Sequence, residues 1–151
     1  MTMTIYHLAQ INLGRFKVDP ADPVNDDFMN ALDRINAAAE AADGFIWRLV
    51  GDGNNATDIR MFDDPLMLMN MSVWRDVAAL HAFTYRHQGH AHFLGRRDEW
   101  FAPVEQHLAL WWIPEGHIPT PQEGIAKVEH LRAHGPTEKA FTFKTRFDAP
   151  L

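Results

Sequence analysis

Two polar side chains near residue 90 have the strongest potential for chemistry. A helix beginning near His90 would carry one largely apolar face, made of His90, Leu94, Arg97 and Phe101. An inward imidazole beside an inward guanidinium has its charged form disfavoured, so it is poised as a neutral base or ligand. We therefore predict that His90 moves a proton and that Arg97 holds an anionic or enolate oxygen. The alternative is structural: His90 bridges the helix break at Gly89, and Arg97 pairs with a carboxylate.

A second polar set lies in the middle of predicted strands. Asn70 and Ser72 alternate with Met69 and Met71 along one strand, and the first strand offers further amides. Small uncharged polar groups together with large aromatics indicate a lined cavity rather than open sheet. The predicted substrate-binding residues are Gln10, Asn12, Asn70, Ser72, Trp74 and Trp112. We expect the methionine side to pack on the helices. The other side would be bare, either lining a cavity or forming a dimer interface with hydrogen-bonded amides.

The nine histidines do not form a recognisable metal motif. Four of them fall within twelve residues: His81, His87, His90 and His92. Their spacings match no closed His/carboxylate site, and an HxxH pair without a glutamate base is not a zincin motif. The chain has no cysteine, which excludes thiol catalysis and cysteine-ligated metals. We predict no metal and no cofactor. Haem with one axial histidine stays open as an alternative, because a single ligand needs no spacing.

Strands and helices alternate in an order that would position these residues. The predicted strands are Ile5–Leu13, Phe45–Val50, Leu66–Arg75 and Leu108–Ile113, with a further short strand at Thr57–Phe62. The predicted helices follow Asp22-Pro23, follow Asp76 through about Tyr85, and run from His90 to Phe101. This β-α-β-β-α-β order is the ferredoxin-like unit, so the fold class is α+β. Such a unit leaves one sheet face bare.

Residues 115–151 are predicted to extend this core, which spans residues 4–114. Thr120 and Glu123 have the spacing of a capping box at the start of a helix from Pro121 to His134. The loop holding His117 is interpreted as a rigid connector, with a lid over the pocket as the alternative. Residues 140–143 would add an edge strand or pack on a partner subunit. Without a repeat or a long linker, residues 1–151 are predicted to form one domain.

Charge and hydropathy exclude several classes of partner. The formal net charge is −6, which argues against nucleic acid and anionic membranes because both require a dense cationic patch. The longest apolar run, Leu108–Ile113, is far shorter than a membrane span. The first residues lack the basic region of a signal peptide. We therefore expect a cytoplasmic protein.

Several segments resemble a bacterial family named domain of unknown function 3291. The matching stretches are LAQINLGRF, DRINAAAEAADGFIWRL, NMSVWRDVAALHAFTYR, GRRDEWF, LALWWIPEGHIPTPQEG and LRAHGPTEKAFTF, and they cover nearly all of the chain. The family usually has a serine, one residue and a histidine before its arginine run. Here His90 is that histidine, and the serine is absent.

This family is similar in layout to the dimeric α+β barrels, which include antibiotic-biosynthesis monooxygenases, muconolactone isomerases and haem-degrading enzymes. The resemblance implies a homodimer with back-to-back sheets and a pocket in each subunit between sheet and helices. It does not supply a reaction, since function belongs to sites and not to folds.

We expect a pocket for a small-molecule ligand, in the manner of a cofactor-independent monooxygenase or isomerase acting on a small aromatic or enolisable compound. Two alternatives stay open: a haem-binding dimeric α+β barrel, and a non-catalytic structural or regulatory homodimer.

Overall fold

A computed structural model of the chain describes residues 3–51, 63–104 and 107–151. Within these ranges it has five strands and four α-helices. The strands are β1 (Tyr6–Phe16), β2 (Phe45–Arg48), β3 (Met67–Trp74), β4 (Phe101–Ala102) and β5 (Leu108–Pro114). The helices are α1 (Asp26–Ala41), α2 (Val77–Arg86), α3 (Gln88–Gly95) and α4 (Pro121–His134), with single 3₁₀ turns at Pro23–Asn25 and Arg97–Glu99. The strand predicted at Thr57–Phe62 lies outside the described residues.

The strands form one antiparallel sheet in the order β2-β3-β1-β5, and β4 pairs with the last two residues of β1. This is the predicted ferredoxin-like α+β arrangement, in which the two inner strands are β1 and β3. Their register sets Gln10 opposite Ser72 and Asn12 opposite Asn70. Sequence-distant polar residues therefore become direct cross-strand neighbours.

The two faces of the sheet differ in composition and in cover. We call one the methionine face; its buried residues include Ala9, Ile11, Met69, Met71, Val73 and Trp111. It packs on Val128 and Leu131 of α4. The opposite face, here the amide face, carries Leu8, Gln10, Asn12, Asn70, Ser72 and Trp74, and its apolar residues pack on α1 and α2.

This distribution corrects the expected assignment of faces. The methionines pack on α4 and not on the helices of the ferredoxin-like unit, and the amides lie under those helices and not on a bare face. The physical reason is α4, which covers the face that the unit alone would leave bare. The buried residues of the methionine face are therefore covered within the chain itself.

The start of α4 explains how this helix reaches the sheet so closely. A Cβ atom at Gly124 would lie 2.8 Å from Ile11 Cδ1 and 3.2 Å from Met71 Cε, so glycine permits the contact. Thr120 Oγ1 accepts a hydrogen bond from Glu123 N at 3.1 Å, which confirms the predicted cap.

The carboxylate of the same Glu123 connects α4 to β5 and to the preceding loop. Its Oε2 accepts from Trp111 Nε1 at 2.9 Å, and its Oε1 lies 2.7 Å from His117 Nε2. His117 is thus part of the connector into α4, as the first interpretation of that loop held.

The helix predicted from His90 to Phe101 is shorter than expected. His87 separates α2 from α3, α3 ends at Gly95, and a 3₁₀ turn follows. Phe101 instead begins β4, and its ring lies 3.0 Å from the position that a Cβ atom added to Gly14 would occupy. Pairing with β1 therefore overrides the helical spacing, and Arg97 falls outside α3.

The C-terminal segment adds to the edge of β5, as one of the two expectations held. Phe141 and Leu110 exchange backbone hydrogen bonds of 2.8 and 2.9 Å, and Trp112 Nε1 donates to Phe147 O at 2.8 Å. In the described part of the chain, none of the helices is both long enough and apolar enough to span a membrane.

Candidate functional site

A hydrogen-bonded row of polar side chains crosses β1 and β3 on the amide face. Gln10 Nε2 donates to Asn70 Oδ1 at 2.7 Å and to Ser72 Oγ at 2.7 Å. Trp74 Nε1 donates to the same Ser72 Oγ at 2.8 Å. The register brings Asn12 opposite Asn70, so the row continues onto Asn12. We call Gln10, Asn12, Asn70 and Ser72 the amide row; the structure brings together all four as the sequence predicted.

The four residues of this row differ in exposure. Gln10 and Ser72 are only 5% and 7% exposed, whereas the Asn12 and Asn70 side chains are exposed. Both asparagines lie near the middle of the two inner strands, on the face that α1 and α2 cover. The Asn12 side chain has no hydrogen-bond partner within the described ranges. We call the exposed surface around Asn12 and Asn70 the amide cleft.

Aromatic side chains bound the amide row at the β3 end. Trp74 stacks on Phe83 of α2, with ring centroids 5.4 Å apart and planes at 27°. Phe45 meets the edge of Trp74 at 5.4 Å. Trp74 is 1% exposed, so it packs behind the row and its ring is not accessible for a ligand to stack on.

A second aromatic group lies at the other end of the amide face. Phe101 is 4.9 Å from Phe16 and 5.0 Å from Phe28, centroid to centroid. Its ring also covers Gly14, two residues along β1 from Asn12. The floor of the cleft is therefore polar in the middle and aromatic at both ends, which suits a flat molecule with polar substituents.

His90 lies beside Phe83 and is held as a neutral imidazole. Its ring centroid is 5.0 Å from that of Phe83, whose ring also stacks on Trp74. Its Nδ1 lies 2.9 Å from the carbonyl oxygen of Thr84; a carbonyl only accepts, so Nδ1 carries the proton and Nε2 is left with a lone pair. Burial lowers the pKa of His90, and His87 lowers it further. At neutral pH its Nε2 is thus available as a base or a ligand.

Arg97 is not brought against His90. It is exposed, and it lines an open surface pocket of about 470 Å³ together with Tyr85, Ala91, Leu94, Gly95 and Asp98. Burial lowers the pKa of His107, and the nearby Arg97 guanidinium lowers it further. The carbonyl of His107 accepts from Leu13 N at 2.7 Å, one residue from Asn12. Arg97 therefore lies on the β5 side of the molecule, in the 3₁₀ turn after α3.

Trp112 is on the amide face but is occupied by the C-terminal segment. Its indole N–H donates to Phe147, and its ring is 6.4 Å from that of Phe141. No ring contact or hydrogen bond in the described ranges joins it to the amide row. Its part in ligand binding stays a prediction, and this packing does not favour it.

Some residues beside the site were indicated only weakly by the sequence, or not at all. Phe83 could have been found as an inward apolar position of α2, but nothing in the sequence marks the Thr84 carbonyl as the partner of His90. Arg96, which the sequence analysis did not single out, stacks over Trp100 at 4.7 Å and pairs with Glu99. Hydrogen bonds to Glu99 and to Asp27 raise the pKa of Arg96 further above its usual range, so it is a fixed charge beside the aromatic group.

The described residues contain no group of three or more metal-ligating side chains that could hold an ion. For a haem, a single axial ligand suffices, and the orientation of His90 fits that role because Thr84 fixes its tautomer and leaves Nε2 open.

Sheet order, helix placement and polar cleft together define an α+β protein of the ferredoxin-like class. The chain belongs to the family described as "Domain of unknown function (DUF3291)", whose pattern matches residues 7–151. Among solved structures, a conserved protein of Methanosarcina mazei Go1 is similar with 13% identity and a TM-score of 0.52, over 72% of this chain and 92% of that one. At this identity the likeness shows the fold alone.

Two further structures are similar at lower scores. A protein of Pseudomonas aeruginosa has 14% identity and a TM-score of 0.48 over 78% of this chain and 99% of its own. A candidate antibiotic biosynthesis monooxygenase of Nitrosomonas europaea has 11% identity and a TM-score of 0.47 over 78% and 95%. In the comparison with curated proteins, nothing matches the chain.

Proposed function

We propose that the amide cleft binds a small, partly aromatic organic molecule and that the protein is an enzyme acting on it without a metal. The observation that carries this proposal is the exposure of Asn12 and Asn70 on the helix-covered face of the sheet. Stability alone favours apolar, buried residues at such positions. Polar side chains left open there, between aromatic groups, have the composition of a ligand site.

In this proposal His90 is the group that moves a proton. A neutral imidazole near the operating pH is the side chain that most often serves as a general base. Its Nε2 can accept a proton from an acidic C–H or O–H of an aromatic or enolisable compound, and Thr84 O stabilises the imidazolium that forms. The exposed Arg97 would receive an anionic group of the ligand on the β5 side.

The binding step is tested with a library of small aromatic fragments and ligand-observed NMR. Asn12→Phe fills the floor of the cleft, and Asn30→Phe is the matched control at an exposed position of α1. We expect fragments that bind the wild type and the control but not Asn12→Phe. Fragments that bind all three proteins equally, or none at all, would contradict the proposal.

The catalytic step is tested with the first compound that the protein converts. His90→Ala should lower kcat by roughly 10²- to 10⁴-fold, the usual contribution of a general base. Substrate affinity should change less than kcat, because a general base acts mainly in the transition state. Turnover that His90→Ala leaves unchanged would remove His90 from the mechanism.

Haem binding is the second candidate, favoured by the fixed tautomer and open Nε2 of His90. A titration with haemin should then give a Soret band that His90→Ala abolishes and that His92→Ala, at an exposed position of the same helix, retains. A flat titration dismisses this candidate. The amide row favours a smaller ligand with polar edges, so we place haem second.

Homodimerisation, which the family resemblance implies, is proposed only through surfaces other than the methionine face. The apolar residues of the amide face likewise pack on α1 and α2 of the same chain. Light scattering coupled to size exclusion measures the state directly.

A further inference from the structure

We propose that the open pocket around Arg97 binds a free amino acid with an apolar or aromatic side chain. We call it the Arg97 pocket. Its volume is about 470 Å³, and its lining residues are Tyr85, Ala91, Leu94, Gly95, Arg97 and Asp98. Sites for small molecules have volumes of roughly 300–1,000 Å³. This inference goes beyond the proposed function, because it needs neither the amide cleft nor His90 and assigns Arg97 a second ligand.

Arg97 supplies a positive charge that the protein does not neutralise. The neighbouring Arg96 donates hydrogen bonds to the carboxylates of Glu99 and Asp27. The Arg97 side chain, by contrast, is exposed and makes no hydrogen bond or ion pair within the described ranges. A guanidinium suits a carboxylate because its planar fork can donate two parallel hydrogen bonds. Arg97 is therefore available to the carboxylate of a ligand.

Asp98 supplies the opposite charge in the same pocket. Its side chain is exposed and has no hydrogen-bond partner in the part of the chain that the structure describes. Lys17, which does not line the pocket, donates to the backbone carbonyl of Asp98 instead. Burial and the Arg97 guanidinium lower the pKa of His107, so that residue is neutral at pH 7. An unpaired cation and an unpaired anion, adjacent in the chain, match the two charges of an amino acid.

The other lining residues suit an apolar or aromatic side chain. Tyr85 is 49% exposed, yet its ring contacts the rings of His81 and Phe143, with centroids 4.7 and 5.7 Å away. A side chain that is already held in place loses little conformational entropy when a ligand packs on it. Ala91 and Leu94 add aliphatic surface to the same pocket.

The charge pattern is tested with three probes of similar shape. These are L-phenylalanine, 3-phenylpropionate, which lacks the ammonium group, and 2-phenylethylammonium, which lacks the carboxylate. Ligand-observed NMR titrations measure their dissociation constants. The wild type should bind L-phenylalanine about five-fold more tightly than either analogue, the upper end of what one exposed charge pair contributes.

Two neutral variants separate the two charges. Arg97→Gln should weaken L-phenylalanine and 3-phenylpropionate about five-fold without weakening 2-phenylethylammonium. Asp98→Asn should weaken L-phenylalanine and 2-phenylethylammonium by a similar factor without weakening 3-phenylpropionate. If 3-phenylpropionate binds the wild type as tightly as L-phenylalanine and Asp98→Asn changes nothing, the ligand is a simple carboxylate and the inference is wrong.

The location is tested with Gly95→Phe. A Cβ atom at Gly95 would meet no neighbouring group of the described structure within 4 Å, and the backbone there is outside the left-handed region. The new ring can therefore occupy the pocket without strain, and circular dichroism checks that the fold is retained. Gly95→Phe should abolish binding of L-phenylalanine. Asn30→Phe, at an exposed position of α1, is the matched control and should bind it like the wild type.

Asn12→Phe separates this inference from the proposed function. Binding of L-phenylalanine that Gly95→Phe abolishes and Asn12→Phe leaves intact supports a second site at Arg97. If Asn12→Phe abolishes the binding, the amino acid occupies the amide cleft, so the inference is wrong and the cleft remains. If none of the three probes binds the wild type, the inference fails, and the fragment test of the amide cleft is unaffected.

Discussion

The two faces of the sheet differ in how their side chains are packed, and two adjacent residues of β3 show the difference. Met71 is 0% exposed and lies under α4, whereas Asn70, its neighbour, is exposed between aromatic groups on the other side. Helices pack on both faces, yet the amide face also carries the exposed side chains of Asn12 and Asn70. A covering helix therefore does not by itself determine how a face is packed. The distance between that helix and the sheet determines it.

Closeness on the methionine face comes from Gly124 and from small residues such as Ala9 and Ala109, both 0% exposed. On the amide face the inner strands instead carry side chains that need partners. Buried amides without partners cost stability; Gln10 Nε2 makes two hydrogen bonds, while Asn12 and Asn70 are exposed.

The largest expected effect is a difference in the loss of stability between a substitution on the methionine face and one on the amide face. Met71→Ala should lower the free energy of unfolding by about 2–5 kcal/mol, because it leaves a cavity in a packed core. Asn70→Ala should cost less than about 1 kcal/mol, since its side chain is exposed and makes one hydrogen bond. Urea unfolding of the two variants checks the pair. Equal losses would mean that the faces are packed alike.

The next effect concerns the attachment of α4. Glu123→Ala should cost about 1–3 kcal/mol, because the buried Trp111 indole loses its acceptor. Glu129→Ala, on the exposed side of the same helix, is the control and should change stability by less than about 0.5 kcal/mol. If thermal or urea denaturation gives the two variants the same stability, the polar link between α4 and β5 is unimportant.

A smaller effect depends on pH. The folded protein lowers the pKa of His90 below its ordinary value of about 6.5, so the unfolded chain binds the proton more readily. Stability from this group is therefore complete above about pH 6.5 and is lost as the pH falls through that value toward the folded pKa.

His90→Gln should remove this dependence, so the stability difference between wild type and variant should narrow or reverse between pH 7.5 and 5. Urea denaturation at several pH values measures it. A wild-type and variant pair with parallel pH profiles would show that His90 is not held neutral by the fold.

The smallest effect on stability should accompany a large effect on binding. Asn12→Leu removes a side chain without protein partners, so the free energy of unfolding should stay within about 0.5 kcal/mol of the wild type. Fragment affinity should fall at least ten-fold, since the opening loses a polar group and becomes narrower. A large loss of stability would mean that Asn12 is structural.

Local features of the fold were predictable because their causes are local. Asp76 caps α2 through a hydrogen bond to Ala79 N, and Thr120 caps α4, at the residues that the sequence indicated. Strand alternation also placed Asn70 and Ser72 on one side and the methionines on the other.

Which helix covers which side was not predictable, because alternation defines a face without naming its partner. Only long-range packing decides that α4 fits against Met71 through Gly124. The end of α3 likewise depends on Phe101, which pairs with β1 instead of continuing the helical spacing. Arg97 was misplaced for the same reason.

The most direct test of the central claim uses one tryptophan on each face. Trp74 and Trp111 are both nearly fully buried, and their indole N–H groups are bonded to Ser72 and to Glu123 respectively. In ¹H–¹⁵N spectra recorded with binding fragments, with peaks assigned by Trp74→Phe and Trp111→Phe, the account predicts that the Trp74 indole signal shifts and the Trp111 signal does not. A shift at Trp111 with Trp74 unchanged would contradict it.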